Sequence, residues 1–125
     1  MNMTSGPQND TLLVVDDEPR ICKHIARMLE KSFDSVHTAT SQREAEQVLG
    51  EARVTHLICD YNLGDDSPSG TELISEWRGR FPSIGLAVLF TASAAFQVKI
   101  LPGVDKVFFK TRDIPEMIAL FSGRG

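Results

Sequence analysis

Several markers of common protein classes are scarce in this chain. It has only two cysteines, Cys22 and Cys59, with no CxxC pair and no nearby histidine pattern. That excludes the usual zinc frameworks and leaves each thiol as a small buried apolar side chain. No basic run exceeds two residues and the net charge is −4, which argues against a direct nucleic-acid surface, because phosphate backbones are held by clustered Lys and Arg. Apolar sequence is never sustained: the longest run, Ile84 to Phe90, falls far short of the roughly 20 residues that span a bilayer. The opening MNMTSGPQND is polar with no apolar core, unlike a signal peptide. There is no internal repeat and no low-complexity segment. The expectation is a cytoplasmic protein that touches neither membrane nor nucleic acid directly.

What is present reads as one α/β domain. At 125 residues the chain has room for a single core, burying roughly two thirds of the unfolded chain's surface. Short apolar runs alternate with amphipathic stretches. Strands are predicted at Thr11 to Val15, Ser35 to Thr40, Val54 to Tyr61, Gly85 to Ala92 and Lys106 to Lys110. Between them, Ile21, Ile25, Met28 and Leu29 repeat at helical spacing after Pro19, a residue favoured at the first helical position. Ser41 and Glu44 match a capping box ahead of the stripe Ala45, Val48 and Leu49, with Gly50 at its end. Leu73, Ile74 and Trp77 predict a helix stopped at Phe81-Pro82; a short helix is expected over Ala94 to Ile100, and a last one over Ile114 to Phe121. Residues 1–10 read as a disordered leader, 11–122 as the domain and 123–125 as a frayed tail. Apolar strands alternating with helices mean a parallel sheet covered on both faces. The fold class is a doubly wound (βα)5 flavodoxin-like sandwich with strand order 2-1-3-4-5.

The strand ends carry the chemistry. The first strand runs into Asp16-Asp17, the third into Asp60, the fourth into Thr91 and the fifth into Lys110. In the order 2-1-3-4-5, strands 1 and 3 are neighbours at the topological switch point, where ligands bind in open α/β sheets. Three carboxylates converging there repel one another, and their pKa values rise unless a cation is present. A divalent ion with oxygen ligands suits them, and Mg2+ suits best, since it is held by one or two carboxylates plus waters and phosphate oxygens. Lys110 and Thr91 offer an ammonium and a hydroxyl across from it. That set fits a phosphoryl group on Asp60, because phosphoryl transfer needs mainly positioning and charge neutralisation.

With Val14-Val15-Asp16-Asp17-Glu18, Cys59-Asp60-Tyr61-Asn62-Leu63, Phe90-Thr91-Ala92-Ser93 and Lys110 in this order, the chain resembles a receiver domain of two-component response regulators. It is similar both to single-domain chemotaxis-type receivers and to receivers of hybrid sensor kinases. The resemblance covers about Leu12 to Phe121. It implies that Asp60 accepts a phosphoryl group from a phosphohistidine on a sensor histidine kinase or phosphotransfer protein. It implies Asp17 as a direct Mg2+ ligand, Asp16 acting through water, Asp60 itself, and the Asn62 backbone carbonyl. Thr91 and Lys110 bond the phosphoryl oxygens, and Ala92 is small enough to stand beside them. The output is a changed protein–protein contact with a downstream partner or the rest of a larger polypeptide. The expected chemistry is self-phosphorylation with slow autodephosphorylation, not turnover on external substrates.

Several positions depart from the family pattern. Gly70 follows Asp60 by ten residues where eight is usual, Thr111 stands where Pro commonly follows the lysine, and Val107 occupies the usual aromatic switch position. The alternative these suggest is a phosphorylation-independent, receiver-like binding module with an altered output face. A phosphotransfer enzyme with an aspartyl nucleophile has a second Asp two residues on; here that residue is Asn62. Asp65 and Asp66 read as loop solubilisers, and His24, His37 and His56 as ordinary surface or half-buried histidines.

Overall fold

A computed structural model describes residues 10–64, 66–92 and 102–123. In chain order the elements are β1 (Thr11–Val15), α1 (Pro19–Leu29), β2 (Ser35–Ala39), α2 (Gln42–Glu51), β3 (His56–Asp60), α3 (Gly70–Arg80), β4 (Leu86–Thr91), β5 (Lys106–Phe109) and α4 (Ile114–Ser122). All strand pairings are parallel, in the order β2-β1-β3-β4-β5. This is the doubly wound, flavodoxin-like sandwich that the alternation predicts. The helix expected over Ala94 to Ile100 lies outside the described residues.

Alternate residues of each strand point to opposite faces, and both faces of the central strands β1, β3 and β4 are buried. Leu13, Val15, Leu57, Cys59, Ala87 and Leu89 face one core cluster with Ala45 and Leu49 of α2 and Leu73, Ile74 and Trp77 of α3. Leu12, Val14, Ile58, Val88 and Phe90 face the other, with Cys22, Ile25 and Leu29 of α1 and Met117 and Phe121 of α4. That two-sided burial is why the central strands read as unbroken apolar runs.

Two details of the helices differ from expectation. Met28, predicted on the buried stripe of α1, is 45% exposed, and Cys22 takes the inward position with Ile25 and Leu29. At α2 only half of the predicted capping box forms: the Ser41 hydroxyl accepts the Glu44 N–H at 3.1 Å, but the Glu44 carboxylate accepts from Thr40 N–H and Oγ1 instead. The complete box is at α3, where Ser69 Oγ accepts the Glu72 N–H and Glu72 Oε2 accepts the Ser69 N–H at 3.1 Å. It fixes the helix start after the loop that follows β3.

Candidate functional site

The register fixes the site. Val15 of β1 lies opposite Cys59 of β3, and Asp60 lies opposite Phe90 of β4. The residues that leave the carboxyl ends of these strands therefore meet at one edge of the sheet. Carboxylate oxygens of Asp16, Asp17 and Asp60 all lie within 4.8 Å of one another. Thr91 closes β4 opposite Phe109, and its carbonyl accepts the Lys110 N–H at 2.8 Å, a backbone tie between two site residues on neighbouring strands. A cavity of about 340 Å³ opens there, lined by Asp17, Glu18, Asp60, Asn62, Thr91, Ala92 and Lys110. Asp16 is buried behind it, 1% exposed.

Lys110 is held more tightly than its sequence position suggests. Its Nζ lies 2.6 Å from Asp16 Oδ2 and 3.4 Å from Asp60 Oδ1. It also sits 5.4 Å from the centroid of the Phe90 ring, a cation–π contact that the sequence reading missed. Among the described residues no aligned hydrogen bond reaches Asp16 Oδ2, and its contact with Lys110 is a pairing of charges. The other Asp16 oxygen accepts the Glu18 N–H at 2.9 Å. Glu18, at the N-cap position of α1, makes no side-chain capping bond of its own.

The electrostatics follow from burial and crowding. Burial pushes the Asp16 carboxyl above its ordinary range, against the pull of Lys110 and the Glu18 N–H. Burial first, and the Asp16 charge second, lift Asp60 to about 6, against the pull of Lys110 and the Asn62 N–H. For Lys110, burial disfavours the ammonium, but Asp16 and Asp60 outweigh it and leave its pKa raised. Three carboxylates group here around one ammonium, and burial still holds two of them above their ordinary values. A second cation with a preference for hard oxygen donors fits this donor set, and that is the chemistry of Mg2+.

Glycine at position 70 brings α3 against Asp60. Its N–H donates to the Tyr61 carbonyl at 2.7 Å. A Cβ there would overlap the Asp60 carbonyl oxygen and come within 2.9 Å of Tyr61 Cα. The remaining polar candidates lie elsewhere. None of the three histidines lines the cavity; Asp66 is exposed and Asp65 lies outside the described residues. The two thiols are buried, Cys22 pushed up to about 11 and Cys59 pushed up further by burial, so both stay protonated and unreactive. Val107 is half-buried, Thr111 is exposed, and no cis peptide occurs among the described residues.

Comparisons with known proteins agree with this geometry. A family model for the response regulator receiver domain matches residues 12–121. The hydrogenase transcriptional regulatory protein HoxA of Cupriavidus necator is 36% identical over 74 residues, 59% of this chain and 15% of that protein. The chain thus spans a small part of that relative's length. Among solved structures, a response regulator from Burkholderia pseudomallei with a phosphorylated aspartic acid, a calcium ion and citrate superposes with a TM-score of 0.72 at 24% identity, covering 90% of this chain and 66% of that one. TrrA of Thermotoga maritima, in complex with Mg2+ and BeF, superposes with a TM-score of 0.72 at 24% identity, covering 86% of this chain and 92% of that one. At these identities the likeness bears on the fold.

Proposed function

The chain belongs to the response regulator receiver domain family, and from that membership we propose that it is a phosphorylation-dependent switch with Asp60 as phosphoacceptor. The observation that carries the reading is the grouping of Asp16, Asp17 and Asp60 within 4.8 Å, with the Lys110 ammonium 2.6 Å from one and 3.4 Å from another.

Asp60, with a pKa of about 6, is mostly ionised at neutral pH and can act as a nucleophile. One of its oxygens attacks the phosphorus of a phosphohistidine on a sensor histidine kinase or phosphotransfer protein. The new P–O bond forms as the P–N bond breaks, and the electron pair leaves with the imidazole. Asp17 and Asp60, the Asn62 backbone carbonyl, and Asp16 through a water, would hold Mg2+. When bound, that ion neutralises phosphoryl oxygens and so lowers the cost of charge at the transferring group. Lys110 turns from Asp16 and Asp60 toward a phosphoryl oxygen, and Thr91 donates its hydroxyl to another. Ala92, with a single methyl, leaves room for the group at the cavity mouth. Phosphorylation adds nearly two negative charges, and repacking around Thr91 changes what a partner protein can bind.

Intact mass after incubation with acetyl phosphate and Mg2+ tests this. A gain of one phosphoryl group in the parent and none in Asp60→Asn is expected. Uptake by Asp60→Asn would overturn the assignment of the acceptor. No uptake by either protein, with Mg2+ binding demonstrated, would favour a receiver-like module that signals by contact alone.

A further inference from the structure

Among the described residues, cations stand over aromatic rings in four places: Arg80 over Phe81, Lys106 over Phe108, Arg112 over Phe109 and Lys110 over Phe90. The first three are exposed side chains beside rings close to them in the chain. Lys110 is different. Its side chain is 14% exposed, and its ring partner belongs to another strand and is buried. A ring holds a cation more firmly when less water competes for it, so of the four this contact is the best placed to hold its charge.

Strand order says what the ring does. Lys110 follows β5, whereas the Asp16 carboxylate 2.6 Å from its ammonium follows β1. Those strands stand three spacings apart in the sheet, roughly 14 Å at the usual separation. The lysine stem therefore reaches across the end of β4, where its ammonium lies 5.4 Å from the centroid of the Phe90 ring. In the register Phe90 pairs with Asp60 of β3 on one side and with Phe108 of β5 on the other, so all three share one face of the sheet. The ring stands between the strand that delivers the lysine and the strand that carries Asp60. The lysine backbone is pinned: its N–H donates to the Thr91 carbonyl at 2.8 Å, and the Phe109 N–H before it donates to the buried Asp113 carboxylate at 2.9 Å. What moves is the flexible four-carbon stem.

We infer that Phe90 is a positioning residue for the phosphoryl chemistry, its ring face keeping the Lys110 ammonium at the Asp60 side of the site. This rests on the reading of Asp60 as phosphoacceptor. In strand order Asp60 is one strand nearer to Phe90 than Asp16 is. As the ammonium leaves Asp16 for a phosphoryl oxygen on Asp60 it moves toward β4, and the ring holds it more strongly. A contact that strengthens along the reaction raises its rate, which core packing alone does not do. Leucine at position 90 would supply apolar bulk without the negative ring face.

Fluorine drains charge from a ring face at nearly constant shape, so mono-, di- and trifluorophenylalanine at position 90 of the full chain separate the cation contact from packing. Two quantities are followed. The first is water exchange of the Lys110 ammonium hydrogens, by NMR of the metal-free protein with 15N-labelled lysine, the signal being assigned by its loss in Lys110→Arg. The second is the rate of phosphoryl uptake from acetyl phosphate with Mg2+, by intact mass. Exchange should quicken and uptake should slow step by step with each fluorine, uptake by about fivefold at the third, while the thermal melt holds. Phe90→Leu should match the trifluoro protein in both. Ammonium exchange that is indifferent to fluorine, or uptake that slows in Phe90→Leu but not along the fluorinated series, would overturn the proposal and leave Phe90 as packing. A parent that takes up no phosphoryl group would count against the reading of Asp60 instead, and the ammonium exchange, which needs no phosphoryl donor, would still decide whether Phe90 places Lys110.

Discussion

The ionised Asp60 side chain is carried by the folded domain at the expense of stability. Its folded pKa of about 6 stands above the ordinary value of 3.8, from burial and then the Asp16 charge. The folded protein therefore binds that proton more tightly than the unfolded chain does. The stability this contributes is fully present below about pH 4 and is lost as pH rises through about 6. Asn cannot ionise, so Asp60→Asn should stabilise the metal-free protein at about pH 7.5 by about 2 kcal/mol and leave it little changed at about pH 4. Urea unfolding of both proteins at the two pH values checks this; a destabilised variant at neutral pH would mean that Lys110 fully balances the carboxylates. That Asp16, Asp17, Asp60, Thr91 and Lys110 gather at one edge of the sheet was legible in the sequence, because each stands at or beside the end of a strand. Their pairing was not. The contact of Lys110 with Asp16 depends on how far two side chains from β1 and β5 reach across the end of the sheet, and on the Phe90 ring beside the ammonium. Neither is encoded in local spacing.

At the level of elements, the central strands β1, β3 and β4 were the most legible part, since two-sided burial leaves them largely apolar and a polar residue at each carboxyl end marks where they stop. Helix faces were less so. Met28 and Cys22 are both plausible core residues by composition, and only packing on the sheet turned Cys22 inward. Caps were ambiguous for a related reason: Ser41 with Glu44 and Ser69 with Glu72 share one spacing, yet Thr40 captures the Glu44 carboxylate and leaves the first box incomplete. This difference can be measured. Ser69→Ala removes the acceptor for the Glu72 N–H in a complete box and should cost about 1 kcal/mol. Gly70→Ala should cost more, upwards of about 2 kcal/mol, because its Cβ overlaps the Asp60 backbone and the strand end and helix start must separate. Chemical denaturation of the two variants ranks them. Equal costs would show that the contact between Gly70 and Asp60 relaxes freely and does not brace the strand end.

At the scale of the molecule, the two core clusters lie on opposite faces of the sheet and share its strands, so the carboxylates sit at the end of the very elements that hold both layers together. Strain from their charge is felt by the whole domain, and relief of it should be too. A cation bound only by the folded state stabilises the domain as its concentration exceeds its dissociation constant. Because the ligands must be deprotonated to bind it, the effect should grow with pH: with Asp16 raised and Asp60 at about 6, protons compete well at pH 5 and hardly at pH 8. Mg2+ at about 10 mM should therefore raise the melting temperature by several degrees at pH 8 and by little at pH 5, given roughly 4–8 °C per kcal/mol for a domain near this size. Asp17→Asn should remove most of the gain at pH 8 while leaving the metal-free melt nearly unchanged, since Asp17 is exposed. A Mg2+ effect of the same size in Asp17→Asn, or one independent of pH, would place the ion somewhere other than among these three carboxylates.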